Sequence, residues 1–187
     1  MWLRFILVSI VSSLLLQTAQ PATSPTSESL RGLAFVSPST IWASGTHGTY
    51  LRSTDGGQHW TTAQVPVAEA LDFRDFEAIT ADEVYLLSAG PGDQSRIYKT
   101  TDAGKQWSLQ FTNSDPNGFY DCMAFWDAKH GIALGDPVEG RFEILATSDG
   151  GKHWNELPPQ SRPQSAPGEG AFAASGTCIT VQGNSNV

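Results

Sequence analysis

Three aspartates occur in nearly identical surroundings in this 187-residue sequence. Asp55 lies in the octapeptide STDGGQHW, and Asp102 and Asp149 lie in the related octapeptides TTDAGKQW and TSDGGKHW. Successive aspartates are 47 residues apart. A carboxylate in such a segment can close a turn by accepting hydrogen bonds from backbone N–H groups, or it can contact a calcium ion or a protein partner. The repetition favours the first role, because a segment copied at a fixed period is a structural unit.

Each octapeptide also carries a glycine and a tryptophan at fixed places. The glycine, two residues after the aspartate, can adopt a positive φ without steric cost. The tryptophan begins the next strand and is expected to pack beneath the turn. The structural residues predicted in this way are Asp55, Gly57, Trp60, Asp102, Gly104, Trp107, Asp149, Gly151 and Trp154.

Charged residues before the first strand of each unit are better candidates for binding a ligand. Aligning the units on an alanine of that strand places Arg31, Asp75 and Asp121 at equivalent positions, and Asp136 follows the second strand of the third unit. In a four-stranded meander these positions lie on the face opposite the octapeptide turns. Two carboxylates and an arginine there could bind a polar ligand, or act as acid and base if a pKa is shifted. Solvated charges that only bond to loop N–H groups are the simpler alternative.

Short strands must position all of these residues. Around every octapeptide the sequence has four runs of β-branched and aromatic residues, separated by Gly, Pro, Asp and Ser. That is the pattern of strands joined by tight turns, and outside the first residues there is no helical periodicity. The sequence therefore predicts an all-β protein with units at about 30–65, 70–113 and 118–158, followed by an incomplete unit at 168–187.

The pattern Ser/Thr-x-Asp-x-Gly-x-x-Trp resembles the Asp-box, or BNR repeat, of the sialidase-like β-propellers. From residue 30 onwards the units also look like those of the photosystem II assembly and stability factors and their exported bacterial relatives. The resemblance implies a β-propeller of four-stranded antiparallel blades, with structural Asp-boxes and with ligands bound on the opposite face. About three and a half blades are present, whereas propellers close with four to eight, so we expect a truncated propeller.

Two functions are the main alternatives. The favoured one is an exported, non-catalytic scaffold that binds or assembles a protein or a polar or glycan ligand, because no complete active site is visible. The other is a sialidase-like glycoside hydrolase whose remaining catalytic residues lie in missing blades, since Arg31 alone cannot replace the three arginines that this family uses. A photosystem assembly role ranks lowest, because the resemblance implies a basic patch and the net charge is −8. No cofactor or metal site is predicted, since the four histidines lack the spacing of zinc ligands.

Residues 1–22 are typical of an export signal, since Arg4 precedes an apolar run that is too short to span a membrane. Residues 23–29 are expected to be a disordered lead-in. Export implies a periplasmic or extracellular protein in an oxidising environment, where Cys122 and Cys178 either pair or stay as buried thiols. The acidic charge gives no footprint for nucleic acid, and no stable membrane insertion is expected after cleavage.

Overall fold

The computed structural model describes residues 24–173 and 178–183. Within these ranges the chain forms three four-stranded antiparallel sheets and two short 3-10 helices, with no α-helix. In every sheet neighbouring strands are consecutive in the sequence, which is the topology of a β-propeller blade. The predicted all-β architecture of a partial propeller is therefore confirmed. None of the described segments is a helix of the length and hydropathy needed to cross a membrane.

Each blade consists of four consecutive strands. Blade 1 is β1–β4, blade 2 is β5–β8 and blade 3 is β9–β12. The strands are β1 Leu30–Phe35, β2 Ile41–Gly45, β3 Thr49–Ser53, β4 Thr61–Gln64, β5 Phe73–Ala78, β6 Val84–Ser88, β7 Arg96–Thr100, β8 Ser108–Thr112, β9 Tyr120–Phe125, β10 Gly131–Val138, β11 Arg141–Thr147 and β12 Asn155–Glu156. The 3-10 helices are Gly92–Gln94 and Pro159–Ser161.

The core lies between neighbouring blades. Trp42 of blade 1 packs against Phe76 of blade 2 with ring centroids 5.8 Å apart, and Tyr85 of blade 2 stacks on Phe125 of blade 3 at 4.3 Å. Each fully buried large side chain contributes about 1.5–3 kcal/mol. The second strands β2 and β6 are buried along their whole length, whereas most of β4 and β8 is exposed or half-buried. Burial between blades thus holds β2 and β6 in place, and the turns at both ends of these strands are positioned with them.

A bulge in the first strand of every blade corrects the sequence alignment. The pairing of β1 with β2, β5 with β6 and β9 with β10 leaves one first-strand residue unpaired, and these residues are Arg31, Arg74 and Asp121. Asp75 lies one position further along, so its predicted equivalence with Arg31 and Asp121 is wrong. The alignment used Ala78, whereas the residue that corresponds to Ala34 and Ala124, three positions after the bulge, is Glu77.

The remaining sequence predictions concern the two ends of the chain and the cysteines. Residues 1–22 and parts of the expected fourth unit lie outside the described residues, and 168–173 and 178–183 contain no strand. The expected lead-in is held against blade 1, because Glu28 accepts hydrogen bonds from Thr46 at 2.5 Å and His47 at 2.7 Å. Cys122 and Cys178 form a disulfide, with their Cα atoms 6.1 Å apart.

Candidate functional site

The three octapeptides form closed turns, here called the aspartate turns (53–60, 100–107 and 147–154). In the first, Asp55 Oδ1 accepts the backbone N–H of His59 and the hydroxyl of Ser53, both at 2.9 Å. The Ser53 hydroxyl oxygen accepts the N–H of Gly57 at 2.9 Å, and Gly57 has a φ of +88°. The second and third turns repeat these contacts at 2.9–3.0 Å. Each carboxylate therefore serves the backbone of its own turn.

The aspartate turns also tie one blade to the next. The hydroxyl of Tyr50 in blade 1 donates to the carbonyl of Gly104 in the second turn at 2.7 Å. Tyr85 in blade 2 donates in the same way to Gly150 in the third turn at 2.7 Å. Among the described residues no group of three or more Asp, Glu, His or Cys is arranged to hold a metal ion. These contacts give the aspartate turns a structural role.

The opposite face carries a different arrangement at the entries of the first strands, here called the mouth. Arg31 and Arg74 occupy the bulge positions of blades 1 and 2 and share the carboxylate of Asp72. Arg74 Nε lies 2.8 Å from Asp72 Oδ2, and Arg31 Nε lies 3.8 Å from Asp72 Oδ1. Their side chains are 39% and 35% exposed. Two guanidinium groups thus reach solvent with a single carboxylate between them.

Asp75 is not part of this exposed arrangement. It is 2% exposed, and its carboxylate joins blade 2 to blade 3. One oxygen accepts the backbone N–H of Phe76 at 2.7 Å, and the other accepts that of Met123 in β9 at 2.5 Å. The structure therefore places this predicted ligand-binding residue at a blade interface.

Asp121 occupies the bulge position of blade 3 and is also 2% exposed. It accepts a hydrogen bond from the backbone N–H of Ala173, while its Oδ2 has no hydrogen-bond partner in the described part of the chain. Asp136, on the neighbouring strand β10, accepts the N–H of Ala171 at 2.8 Å. The two predicted carboxylates are thus brought together, where they bind the segment that follows blade 3.

Burial changes the acidity of the interior carboxyl groups. It raises the pKa of Asp75 to about 7 against the opposing hydrogen bonds from Met123 and Phe76. It also raises the pKa of Glu77 to about 7, with a smaller contribution from the charge of Asp75. Burial, and then the negative charge of Asp136, raises the pKa of Asp121 to about 7. All three groups therefore change charge near neutral pH.

A comparison with known proteins now gives the family. The family model described as photosynthesis system II assembly factor YCF48 matches residues 14–116, which is more than half of the chain. The chain belongs to this family. No curated protein matches the sequence.

Solved structures share the fold of the chain. YCF48 from Cyanidioschyzon merolae is 22% identical with a TM-score of 0.56, and a structure titled "YCF48 bound to D1 peptide" is 20% identical with a TM-score of 0.57. The alignments cover 72% and 71% of this chain, and 41% of either YCF48 chain. A GH74 xyloglucanase from Xanthomonas campestris is 21% identical with a TM-score of 0.53, over 67% of this chain and 21% of the xyloglucanase. At these identities the likeness concerns the fold alone.

The sequence alignment placed Asp75 at the position that Arg74 occupies, and so missed the arginine pair at the mouth. Arg74 lies 47 residues before Asp121, so applying the period of the aspartate turns to the first strands would have found it. Asp72 and Glu77 were missed as well, because no repeat marks their positions.

The mouth face also has a charged cleft of about 580 Å³ beside the β10–β11 hairpin of blade 3. At its base Arg162 forms a buried ion pair with Glu143. Arg141 donates to the carbonyl of Arg162 at 2.9 Å. Asp115, Glu139 and Glu156 complete the charged lining. None of Arg141, Glu143 and Arg162 was predicted from the sequence, since the other two blades have no matching charges.

Proposed function

We propose that the protein is an exported, non-catalytic scaffold that binds a segment of a partner protein at the mouth. The observation that carries this proposal is the pair formed by Arg31 and Arg74. Two guanidinium groups around one carboxylate leave a net positive charge at this point of the mouth, and they can hold a second carboxylate through paired hydrogen bonds. The ligand chemistry that fits is an acidic side chain or the terminal carboxylate of a peptide.

Family membership supports a protein partner. A related YCF48 structure is titled as bound to a D1 peptide, and a photosystem II assembly role is the biological setting that the family description suggests. The apolar run after Arg4 and the pair Cys122–Cys178 support export to an oxidising compartment.

A peptide titration tests the proposal. The 187-residue protein is titrated with a D1 peptide and with a peptide of the same composition in scrambled order. We expect the double variant Arg31→Gln and Arg74→Gln to bind the D1 peptide about tenfold more weakly, because charge-assisted hydrogen bonds are lost. The matched control is Arg96→Gln. It removes an arginine from the same face, but one that is already paired with its own carboxylate, Asp93. Equal affinity of the double variant and the parent protein would overturn the proposal.

Glycoside hydrolysis is the second candidate. It is favoured by the carboxyl of Asp121, whose raised pKa of about 7 suits a general acid. Against it, Asp121 is buried and bonded to the backbone of Ala173. An assay of the protein on xyloglucan and on sialosides decides between the functions: turnover that disappears in Asp121→Asn would establish an enzyme and refute the scaffold.

A further inference from the structure

One valine on the face of the mouth has a backbone conformation that valine rarely adopts. Val67, in the loop between β4 and β5, has a φ of +58°. A β-branched side chain is crowded in this left-handed region, where glycine or asparagine is the usual residue. The side chain of Val67 is also 80% exposed, so packing within the protein offsets little of the strain. Strained residues of this kind concentrate at sites that bind ligands.

The loop that carries Val67 is held firmly by its neighbours. Val65 and Leu71 are buried in the core between blades 1 and 2. The N–H of Val65 donates to the carbonyl of Gly48 at 2.9 Å, and the N–H of Gly48 donates to the carbonyl of Leu71 at 2.8 Å. The N–H of Val67 itself donates to the carboxylate of Glu69 at 3.2 Å. These contacts present the exposed valine in a fixed position.

The repeat shows that this valine is peculiar to blade 1. One and two periods of 47 residues further along the chain lie Ser114 and Ser161, in the segments that follow β8 and β12. Neither serine has a positive φ. The blade architecture therefore requires neither an apolar side chain nor a left-handed conformation at the position of Val67.

Two further exposed apolar side chains adjoin the arginine pair. Leu30 is exposed at the start of β1 and directly precedes Arg31. Phe172 is 76% exposed and belongs to the segment that is bonded to Asp121. Arg74 lies close enough to Asp121 for its charge to oppose the rise in the pKa of that carboxyl. Three of the six exposed large apolar side chains in the described part of the chain are thus on segments next to the arginines.

We propose that Leu30, Val67 and Phe172 form an apolar rim around the arginine pair, and that this rim selects a partner segment whose acidic residue is flanked by apolar residues. The loop of Val67 leads directly into Asp72, the carboxylate between the two guanidinium groups. Apolar side chains grouped beside a charged site are typical of a protein interface, and an anchor already fixed in position loses little entropy on binding. The inference rests on the proposed binding of a carboxylate at the mouth.

Two synthetic peptides with blocked ends test the rim by NMR titration. Each has one central aspartate, flanked by leucines in one peptide and by serines in the other. We expect the parent protein to bind the leucine peptide about tenfold more tightly. Val67→Asn should lose most of this preference and yet melt at a higher temperature, because asparagine adopts the left-handed region more readily. The matched control Val67→Ile keeps the apolar side chain and the strain, so its preference and melting temperature should not change.

A second variant, Phe172→Ser, tests the rim without any change in backbone strain and should also reduce the preference. Leu109→Ser should retain it, because this exposed leucine lies beside the second aspartate turn. A full preference for the leucine peptide in Val67→Asn, or equal binding of both peptides by the parent protein, would overturn the rim. The double variant Arg31→Gln and Arg74→Gln should weaken both peptides alike. If it binds both as tightly as the parent protein does, the proposed function fails instead, and absence of all binding refutes both proposals.

Discussion

The two faces of the molecule differ in how strictly the blades repeat. On the face of the aspartate turns, three blades make the same hydrogen bonds at 2.9–3.0 Å, each with a serine or threonine hydroxyl. At the mouth, the equivalent bulge positions hold Arg31, Arg74 and Asp121. Identical chemistry in every blade is what a common architecture requires. Different side chains at one backbone position allow a specific ligand to be bound. Repeated residues therefore indicate the architecture, and varied residues indicate the candidate binding site.

Glycines at turns on the two faces provide the sharpest test of this contrast. Gly104 has a φ of +84°, and an added Cβ would lie 3.0 Å from the ring of Tyr50 and 3.2 Å from that of Trp42. Gly140, in the β10–β11 turn, has a φ of +78° and nothing within 4 Å. We expect Gly104→Ala to lower the free energy of unfolding by about 3 kcal/mol or more, and Gly140→Ala by about 1 kcal/mol. Urea unfolding measures both, and equal losses would contradict the contrast.

The buried carboxyl group near the mouth should make stability depend on pH. Burial holds the pKa of Asp75 at about 7 when folded, against 3.8 in an unperturbed chain. As the pH rises from about 4 to 7 the unfolded chain loses this proton first, so the contribution to stability is present at low pH and is lost towards pH 7. Asp149 behaves in the opposite way, because its contacts with His153 hold its pKa at about 2. Its contribution to stability is present above about pH 4 and is lost as the pH falls towards 2.

We therefore expect Asp75→Asn to reduce the fall in unfolding free energy between pH 4.5 and 7 by about 2 kcal/mol. Urea titrations at a series of pH values measure this slope. Asp93→Asn serves as the control, because Asp93 is an exposed carboxylate on the same face. An unchanged slope in Asp75→Asn would show that the interface between blades 2 and 3 does not hold a protonated carboxyl.

The smallest expected difference in stability is between two variants that each lose a tyrosine hydroxyl. Tyr50 donates to the carbonyl of Gly104 at 2.7 Å, whereas the buried hydroxyl of Tyr98 has no hydrogen-bond partner among the described residues. We expect Tyr50→Phe to lower the melting temperature, at a cost of about 1 kcal/mol, and Tyr98→Phe to be neutral or slightly stabilising. Calorimetric melting of both variants measures this, and a larger loss in Tyr98→Phe would remove the special role assigned to the aspartate turns.

The predictability of the site follows the same division. The turns and most strand positions were predicted because local hydrogen bonds and alternating burial recur every 47 residues. The alignment of Asp75 failed because it relied on Ala78 instead of the 47-residue period, which relates Arg74 to Asp121. Its burial could not be predicted either, because the partner Met123 is 48 residues away in the next blade.

The cysteines show the same limit. The sequence and the expected export left both pairing and free thiols open, since Cys122 and Cys178 are 56 residues apart in the sequence. Only the folding of the segment after blade 3 back onto β9 brings their Cα atoms within the 4.4–6.8 Å that a disulfide needs, at 6.1 Å.

The sequence by itself determined the blade, its aspartate turn and the all-β fold, because these depend on contacts within a few residues and on a pattern that repeats. The tertiary structure alone decided which charges are exposed. Whether a carboxylate at a strand entry faces solvent, as Asp72 does in part, or is enclosed between blades, as Asp75 is, depends on packing against a neighbour that no local pattern describes. The arginine pair at the mouth is a product of that packing.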